Sequence, residues 1–282
     1  MQHMTASSNE ASQATGELET PRVRRQPKRT RSRTLALRIG SLLFLFAVWW
    51  IVALCIDDVN QLPTPIEIFD HFGPLISHDD LLGNMAFSLW LAFRGFLIGS
   101  AIGFALGVAA GLTILGEEVI DAPMQMIRVV PYAALLPLFV LWFGLGDTPK
   151  VALIALACAF PTYLQSYLAV RNVDRKVVEA SRTFGLSGIR LLREVTLPMA
   201  LPGILSGLRF AGSVSVLALV IAEQLNADRG IGALLIAAQG YEQWLTVFCI
   251  VVVYMAFGIL IDLFFRVVEH LSTPWRAGVA LR

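Results

Sequence analysis

Along this chain the apolar positions gather into long blocks, separated by short polar stretches. A helix rising about 1.5 Å per residue needs roughly 20 such positions to cross a bilayer. The blocks predict six spans, at about 35–56, 84–115, 119–145, 151–170, 204–225 and 245–265. Residues 1–34 differ, being rich in Ser, Thr, Gln and Arg, with Pro21 and Pro27 and almost no large apolar side chains. Such a segment buries too little surface to offset the entropy of ordering, so a disordered tail is expected. The first block is long, and no small-x-small cleavage site follows it. Leu54 stands where a lipoprotein box before Cys55 needs a small residue, so a retained transmembrane helix is expected. After it, Leu62-Pro63-Thr64-Pro65 opens an external loop with a short surface helix. Residues 171–202 are the longest polar stretch after the tail, with Gly185, Gly188 and Pro198 punctuating short helices. Residues 226–243 hold glycines and a further apolar patch, a short external element.

The second block carries the sharpest pattern. Gly95, Gly99, Gly103, Gly107 and Gly111 recur every four residues and strip one ridge of that helix of side chains. In lipid, such ridges let helix backbones approach closely. Pro131, Pro137 and Pro161 interrupt the third and fourth blocks, and Gly144 to Pro149 makes a tight turn between them. A proline inside a span frees a carbonyl, tolerated where a neighbouring helix or a water-lined cavity satisfies it.

Composition agrees with a membrane protein. Hydrophobic residues make up 56% of the 282 and charged ones 15%, against about 25% in ordinary soluble domains. Mean hydropathy is +0.67. A secreted disulfide scaffold is excluded, because Cys55, Cys158 and Cys249 are odd in number and each lies in an apolar run. The net charge of +1 says little, but its distribution orients the chain. Arg22, Arg24, Arg25, Lys28, Arg29, Arg31, Arg33 and Arg38 surround the start of the first span. A second basic group runs from Arg171 to Arg209, and a third comprises Arg266, Arg276 and Arg282. The loops between hold only Lys150 and Arg229. Six alternating spans place the three basic groups on one side, so both termini are expected in the cytoplasm. The basic tail is then a topogenic segment or a contact for anionic lipid; a nucleic-acid partner is not expected.

No catalytic constellation is present. The phosphate loop Gly-x-x-x-x-Gly-Lys-Ser/Thr, His-Glu-x-x-His and Gly-x-Ser-x-Gly are all absent. His71 and His78 lie near Asp70, Asp79 and Asp80, but their spacing fits no metal template. The intramembrane charges Arg94, Arg128, Arg209, Glu223 and Asp262 are few. Such residues face protein or water. Arg94 and Arg128 suit a pathway for an anion, or else bond exposed carbonyls at a helix break. Pro131, Tyr132, Ser213 and Glu223 complete the candidate pathway residues.

The polar stretch before the fifth span reads Glu179-Ala180-Ser181, three residues, Gly185, nine residues, then Val195-Thr196-Leu197-Pro198. It resembles the EAA loop of binding-protein-dependent ABC importer permeases, E-A-A-x3-G-x9-I-x-L-P, with Ser181 and Val195 as mild departures. Small side chains at 180 and 181 allow close helix contact. Gly185 is expected to end a first short helix, and Leu197-Pro198 to terminate a second and turn the chain into the fifth span. The resemblance covers most of residues 35–276. Leu62-Pro63-Thr64-Pro65, Gln125 to Pro131, Leu141 to Gly146, and Ala222-Glu223 followed by Gly230-Ile231-Gly232 are similar to the sulfonate/taurine/nitrate branch. Arg171 to Arg175 followed by Gly185-Leu186-Ser187-Gly188 looks most like aliphatic sulfonate permeases.

The resemblance implies an all-α membrane protein of type I importer architecture in the bacterial inner membrane. The loop residues Glu179, Ala180, Ser181, Gly185, Leu197 and Pro198 would couple it to a separate ATPase dimer, which holds the ATP and Mg; this chain would bind no cofactor. A second permease subunit, as a homodimer, and an extracytoplasmic binding protein would complete the machine, working by alternating access. Taurine, nitrate or a pyrimidine vitamin precursor are the other substrates the branch offers. An ion-coupled secondary transporter would want inverted repeats, and none is evident.

Overall fold

The computed structural model describes residues 31–224 and 228–272, and all the regular structure among them is helical. Most of the expected basic tail lies outside the described residues, as do residues 225–227 and the end after Ser272. The chain divides into two compact units, Met1–Ile51 and Val52–Arg282.

The first unit holds most of α1 (Arg31–Ile56), which begins ahead of the Leu35 boundary read from the sequence. Leu42, Leu43, Phe44 and Leu45 are all exposed, covering successive faces of the helix. A helix apolar all round suits lipid.

The second unit opens with α2 (Pro65–His78). Its start is a capping box: the Thr64 N–H donates to Glu67 Oε2 at 2.7 Å, and the Glu67 N–H donates to Thr64 Oγ1 at 3.4 Å. Two orphan donors are satisfied reciprocally, and Pro65 supplies a φ already suited to the first turn.

Three long helices form the centre of this unit. α3 (Leu81–Leu112) and α6 (Asp147–Arg171) run in the same direction, for Gly95 meets Val151 and Ile154 while Gly111 meets Tyr167 and Val170. The glycine ridge is what seats them. A Cβ at Gly99 would lie 2.7 Å from the carbonyl carbon of Ala155, and one at Gly103 would lie 3.0 Å from the Tyr163 nitrogen. α9 (Leu197–Gln224) returns along the other side of α6, with Gly203 against Ala169 and Gly207 against Gln165. α11 (Trp244–Ser272) packs antiparallel to α9, with Ile261 and Phe265 over Gly212.

The third predicted span is two helices. α4 (Ile114–Val129) and α5 (Tyr132–Phe143) meet at a break bent by 102°. Pro131 explains the break's position: the residue before a proline is driven out of helical geometry, and Val130 has φ −72° and ψ 125°. Five described helices are long and apolar enough to cross a membrane, six if the bent pair is counted as one span.

One expectation about the loop fails. Leu197-Pro198 does not terminate a helix. After α7 (Arg175–Thr183), α8 (Gly188–Leu191) continues through a π-helical turn, Leu192–Thr196, directly into α9. The Leu197 N–H bonds the Leu192 carbonyl, and Thr196 Oγ1 donates to the Leu191 carbonyl at 3.4 Å. A proline within a regular helix strikes the carbonyl four residues back. The wide turn in front of Pro198 relieves that clash, so the ring is accommodated and the rod runs on.

α10 (Ile231–Gly240) is a short apolar helix between α9 and α11.

Candidate functional site

The loop residues stand on an outlying element. α7 is opened by Asp174, whose side chain accepts from the Lys176 N–H at 2.9 Å. It is closed by two bonds, Leu186 N–H to the Ser181 carbonyl at 3.2 Å and Gly185 N–H to the Arg182 carbonyl at 2.9 Å. That pairing is a Schellman cap, and it requires the left-handed backbone of Gly185, φ +86°. No residue of α7 is buried. Glu179 and Ala180 are exposed, and Ser181 is half-buried with its hydroxyl on the Val177 carbonyl at 2.7 Å. Beyond the cap, Phe184 is 87% exposed. Leu197 and Pro198 lie apart from these, in the first turn of α9.

From this loop a ladder of polar contacts leads into the membrane along α4 and α6. Glu117 accepts from the Tyr167 hydroxyl at 2.5 Å and pairs with Arg171. One turn on, Asp121 accepts from the Tyr163 hydroxyl at 2.9 Å. The rings of Tyr163 and Tyr167 stack, 6.1 Å apart. The last rung is the Arg128 guanidinium over the Phe160 ring, 5.5 Å from its centre. Sequence reasoning passed over Glu117, Asp121, Tyr163 and Tyr167. Their four-residue spacing on both helices is the signal that would have found them.

The ladder ends at a cavity of about 430 Å³. Arg128 and Tyr132 border it from the two sides of the α4–α5 break, with Pro131 between them as the residue capping α5. Phe160 and Pro161 of α6 and Phe210, Val214, Leu217 and Ile221 of α9 form much of the rest. Arg128 and Tyr132 are the polar side chains of the wall. A second space of about 500 Å³, between α3, α9 and α11, is walled by Trp90, Phe93, Phe96 and Phe264 and carries no charge.

The other candidate pathway residues lie elsewhere. Arg94 is half-buried on α3. Ser213 donates to the Arg209 carbonyl at 3.4 Å, and Arg209 itself pairs with Glu269 at 3.3 Å and Asp262 at 3.9 Å on α11. Glu223 is wholly buried within a knot of bonds. Its Oε1 accepts from Ser88 at 2.5 Å; its Oε2 accepts from the Gly232 N–H at 3.0 Å and the Tyr254 hydroxyl at 3.1 Å. Ser88 accepts in turn from the Ile231 N–H at 2.9 Å, and Asn84 from the Gly230 N–H at 2.8 Å. A carboxylate thus sits at the N-terminal end of α10, where helix dipole and free N–H groups favour it. The spacing of Glu223, Gly230 and Gly232 acquires a cause: a Cβ at 230 would come 2.9 Å from Ser88 Oγ, and one at 232 would come 3.1 Å from the Glu223 backbone.

His71 bonds the Thr246 hydroxyl at 2.9 Å, fastening α2 to α11. Among the described residues no group of three His, Cys, Asp or Glu side chains is placed to hold a metal ion.

Comparison with known proteins gives concordant results. A family model described as binding-protein-dependent transport system inner membrane component matches residues 95–271. A permease protein of Bacillus subtilis (strain 168) named for aliphatic sulfonates transport is 35% identical over 257 residues, which are 90% of this chain and 92% of that one. The taurine transport system permease of Escherichia coli (strain K12) is 33% identical over 254 residues, 88% of this chain and 92% of that one. Among solved structures, the inward-facing MetNI methionine ABC transporter superposes with a TM-score of 0.59 at 20% identity, covering 66% of this chain and 93% of that one.

Proposed function

The chain belongs to the family of binding-protein-dependent transport system inner membrane components, and on that premise we propose that it imports organic sulfonates. It is a permease subunit of an ABC importer, and the ATPase of such an importer is a separate subunit. The two curated relatives are named for aliphatic sulfonates and for taurine, which is itself an aminoalkyl sulfonate. Their shared chemistry is an R–SO3⁻ anion.

The observation that carries the mechanism is the state of α7. It is a helix capped at both ends with no buried residue, projecting the exposed Phe184 and the basic Arg175, Lys176 and Arg182. We assign it as the docking element for a cytoplasmic ATPase dimer that holds ATP and Mg. The basic groups then mark the cytoplasmic side, with both termini on it. A second copy of this chain completes the pathway, and an external binding protein delivers the solute. ATP-driven closure of the ATPases draws the two α7 helices together and opens the pathway outward; hydrolysis resets it. Arg128 and Tyr132 are assigned to the pathway because they border the cavity at the broken span, and Pro131 because it makes the break between them.

Two experiments test this. A strain lacking the gene should fail to grow on an alkanesulfonate as sole sulfur source, grow normally on sulfate, and recover when the gene is restored. Unimpaired growth on the sulfonate, with other uptake systems removed, would overturn the substrate. For the docking element, Gly185→Val places a β-branched residue in the left-handed region, at a cost of about 1–3 kcal/mol. The cap, not the membrane domain, should absorb it. Membrane levels are expected to stay near normal while copurification of the ATPase and uptake both collapse. Normal uptake would remove α7 from the coupling role.

A further inference from the structure

The cavity at the α4–α5 break has the shape of one chemical class of sulfonate, and we propose that it is a subsite for the alkyl kind: Arg128 and Tyr132 hold the sulfonate, and the α9 wall takes the hydrocarbon tail. The proposal rests on the importer function given above and adds that the permease itself selects, after the binding protein has released its cargo.

The wall is almost wholly apolar, with Arg128 and Tyr132 as its polar residues. Arg128 lies at the end of α4 and Tyr132 at the start of α5, so the break sets both residues on the cavity wall. Arg128 forms a cation–π pair with Phe160 and is otherwise exposed, so its guanidinium retains N–H donors for an anion. Opposite stand Phe210, Val214, Leu217 and Ile221. Burying each methylene of a tail there should favour binding about fourfold. The volume, about 430 Å³, falls within the ~300–1,000 Å³ of small-molecule pockets.

The wall contains no carboxylate. Taurine carries an ammonium at the end of its chain, and in this cavity that charge would meet only aliphatic and aromatic groups. An unpaired charge there is strongly disfavoured. Nitrate would satisfy Arg128 but leave the apolar wall unfilled. The cavity therefore ranks alkanesulfonates above taurine, and longer tails above methanesulfonate up to the length the α9 wall admits.

The test uses the complete importer, with its ATPase and binding protein, reconstituted into lipid vesicles. Uptake of methanesulfonate, butanesulfonate and taurine is measured for the natural protein, Arg128→Gln, Arg128→Lys and Val214→Trp. A charged hydrogen bond is worth about 1.5–3 kcal/mol, so Arg128→Gln should lower the maximal rate for both alkanesulfonates about 10- to 100-fold. The half-saturating concentration, set by the binding protein, should hardly move, and Arg128→Lys should restore much of the rate. Val214→Trp fills the apolar end and should slow butanesulfonate more than methanesulfonate. An unchanged rate in Arg128→Gln, or equal slowing of both tails in Val214→Trp, overturns the subsite. Because the tail comparison is made within one variant, it decides the matter even if Arg128→Gln fails to assemble. Absence of any sulfonate uptake by the natural protein would instead overturn the importer function on which the subsite rests.

Discussion

Gly103→Leu is expected to leave almost no assembled permease in the membrane. Position 103 faces the Ala159–Tyr163 stretch of α6, where the two backbones lie in van der Waals contact. Even a single Cβ meets peptide atoms, and peptide atoms of a helix cannot move aside as a flexible side chain can. Overpacking a well-packed interior costs about 1–3 kcal/mol. Here the strain falls on the main helix pair of the unit, so the effect belongs at or above the top of that range. Within lipid there is no hydrophobic force to push α3 and α6 together regardless; association depends on the close fit itself. Gly258→Leu is the internal control, since a Cβ there meets nothing within 4 Å. Immunoblots of membranes and thermal unfolding in detergent read the difference. Equal levels and equal stability for the two variants would show that the ridge is not a tight interface.

Glu223→Ala is expected to be nearly as damaging, for a different reason. It removes the common acceptor of Ser88, Tyr254 and the Gly232 N–H, all inside the protein. Each donor left without a partner costs about 1–3 kcal/mol. Glu223→Gln retains one carbonyl oxygen and should lose roughly half as much. Hydrogen exchange across α10 should rise sharply in Glu223→Ala and little in Glu223→Gln. If exchange in α10 is unaltered by either, the knot does not hold that helix.

The legible parts of this protein were those written locally. Long apolar blocks marked α1, α3, α6, α9 and α11, because nothing but a bilayer calls for them. The glycine cap of α7 was visible as Gly185, since that motif closes within a few residues. Pro131 announced an interruption, but its 102° angle depends on what α4 packs against, and the polar ladder on α6 lies some forty residues away in sequence (Tyr163 bonds Asp121). Leu197-Pro198 misled because a proline can stop a helix or be carried within it, here behind a widened turn, and the sequence does not distinguish the two. In the sequence Glu223 stands only as an intramembrane charge and a candidate pathway residue. Its partners Ser88 and Tyr254 belong to other helices, so only the folded chain reveals that it is buried. The EAA-like loop was recognisable from its spacing; the cavity was not, because Arg128 and Tyr132 meet Phe210 to Ile221 only through the packing of α9 on α6.

The knot around Glu223 also dictates an order of events during biosynthesis. The chain is made and inserted from its N-terminus, so α3, with Ser88, is in place before α9 arrives. When Glu223 enters, one of its partners is in place and two are not, because Gly232 and Tyr254 follow it along the chain and arrive later. Until α11 follows, the carboxylate must stay near water or keep company with the insertion machinery. The last helix is therefore more than the sixth crossing: its arrival is the step that lets α9 settle and α10 fold down. A nascent chain arrested before Tyr254 should remain open at α10, and this permease cannot mature one span at a time.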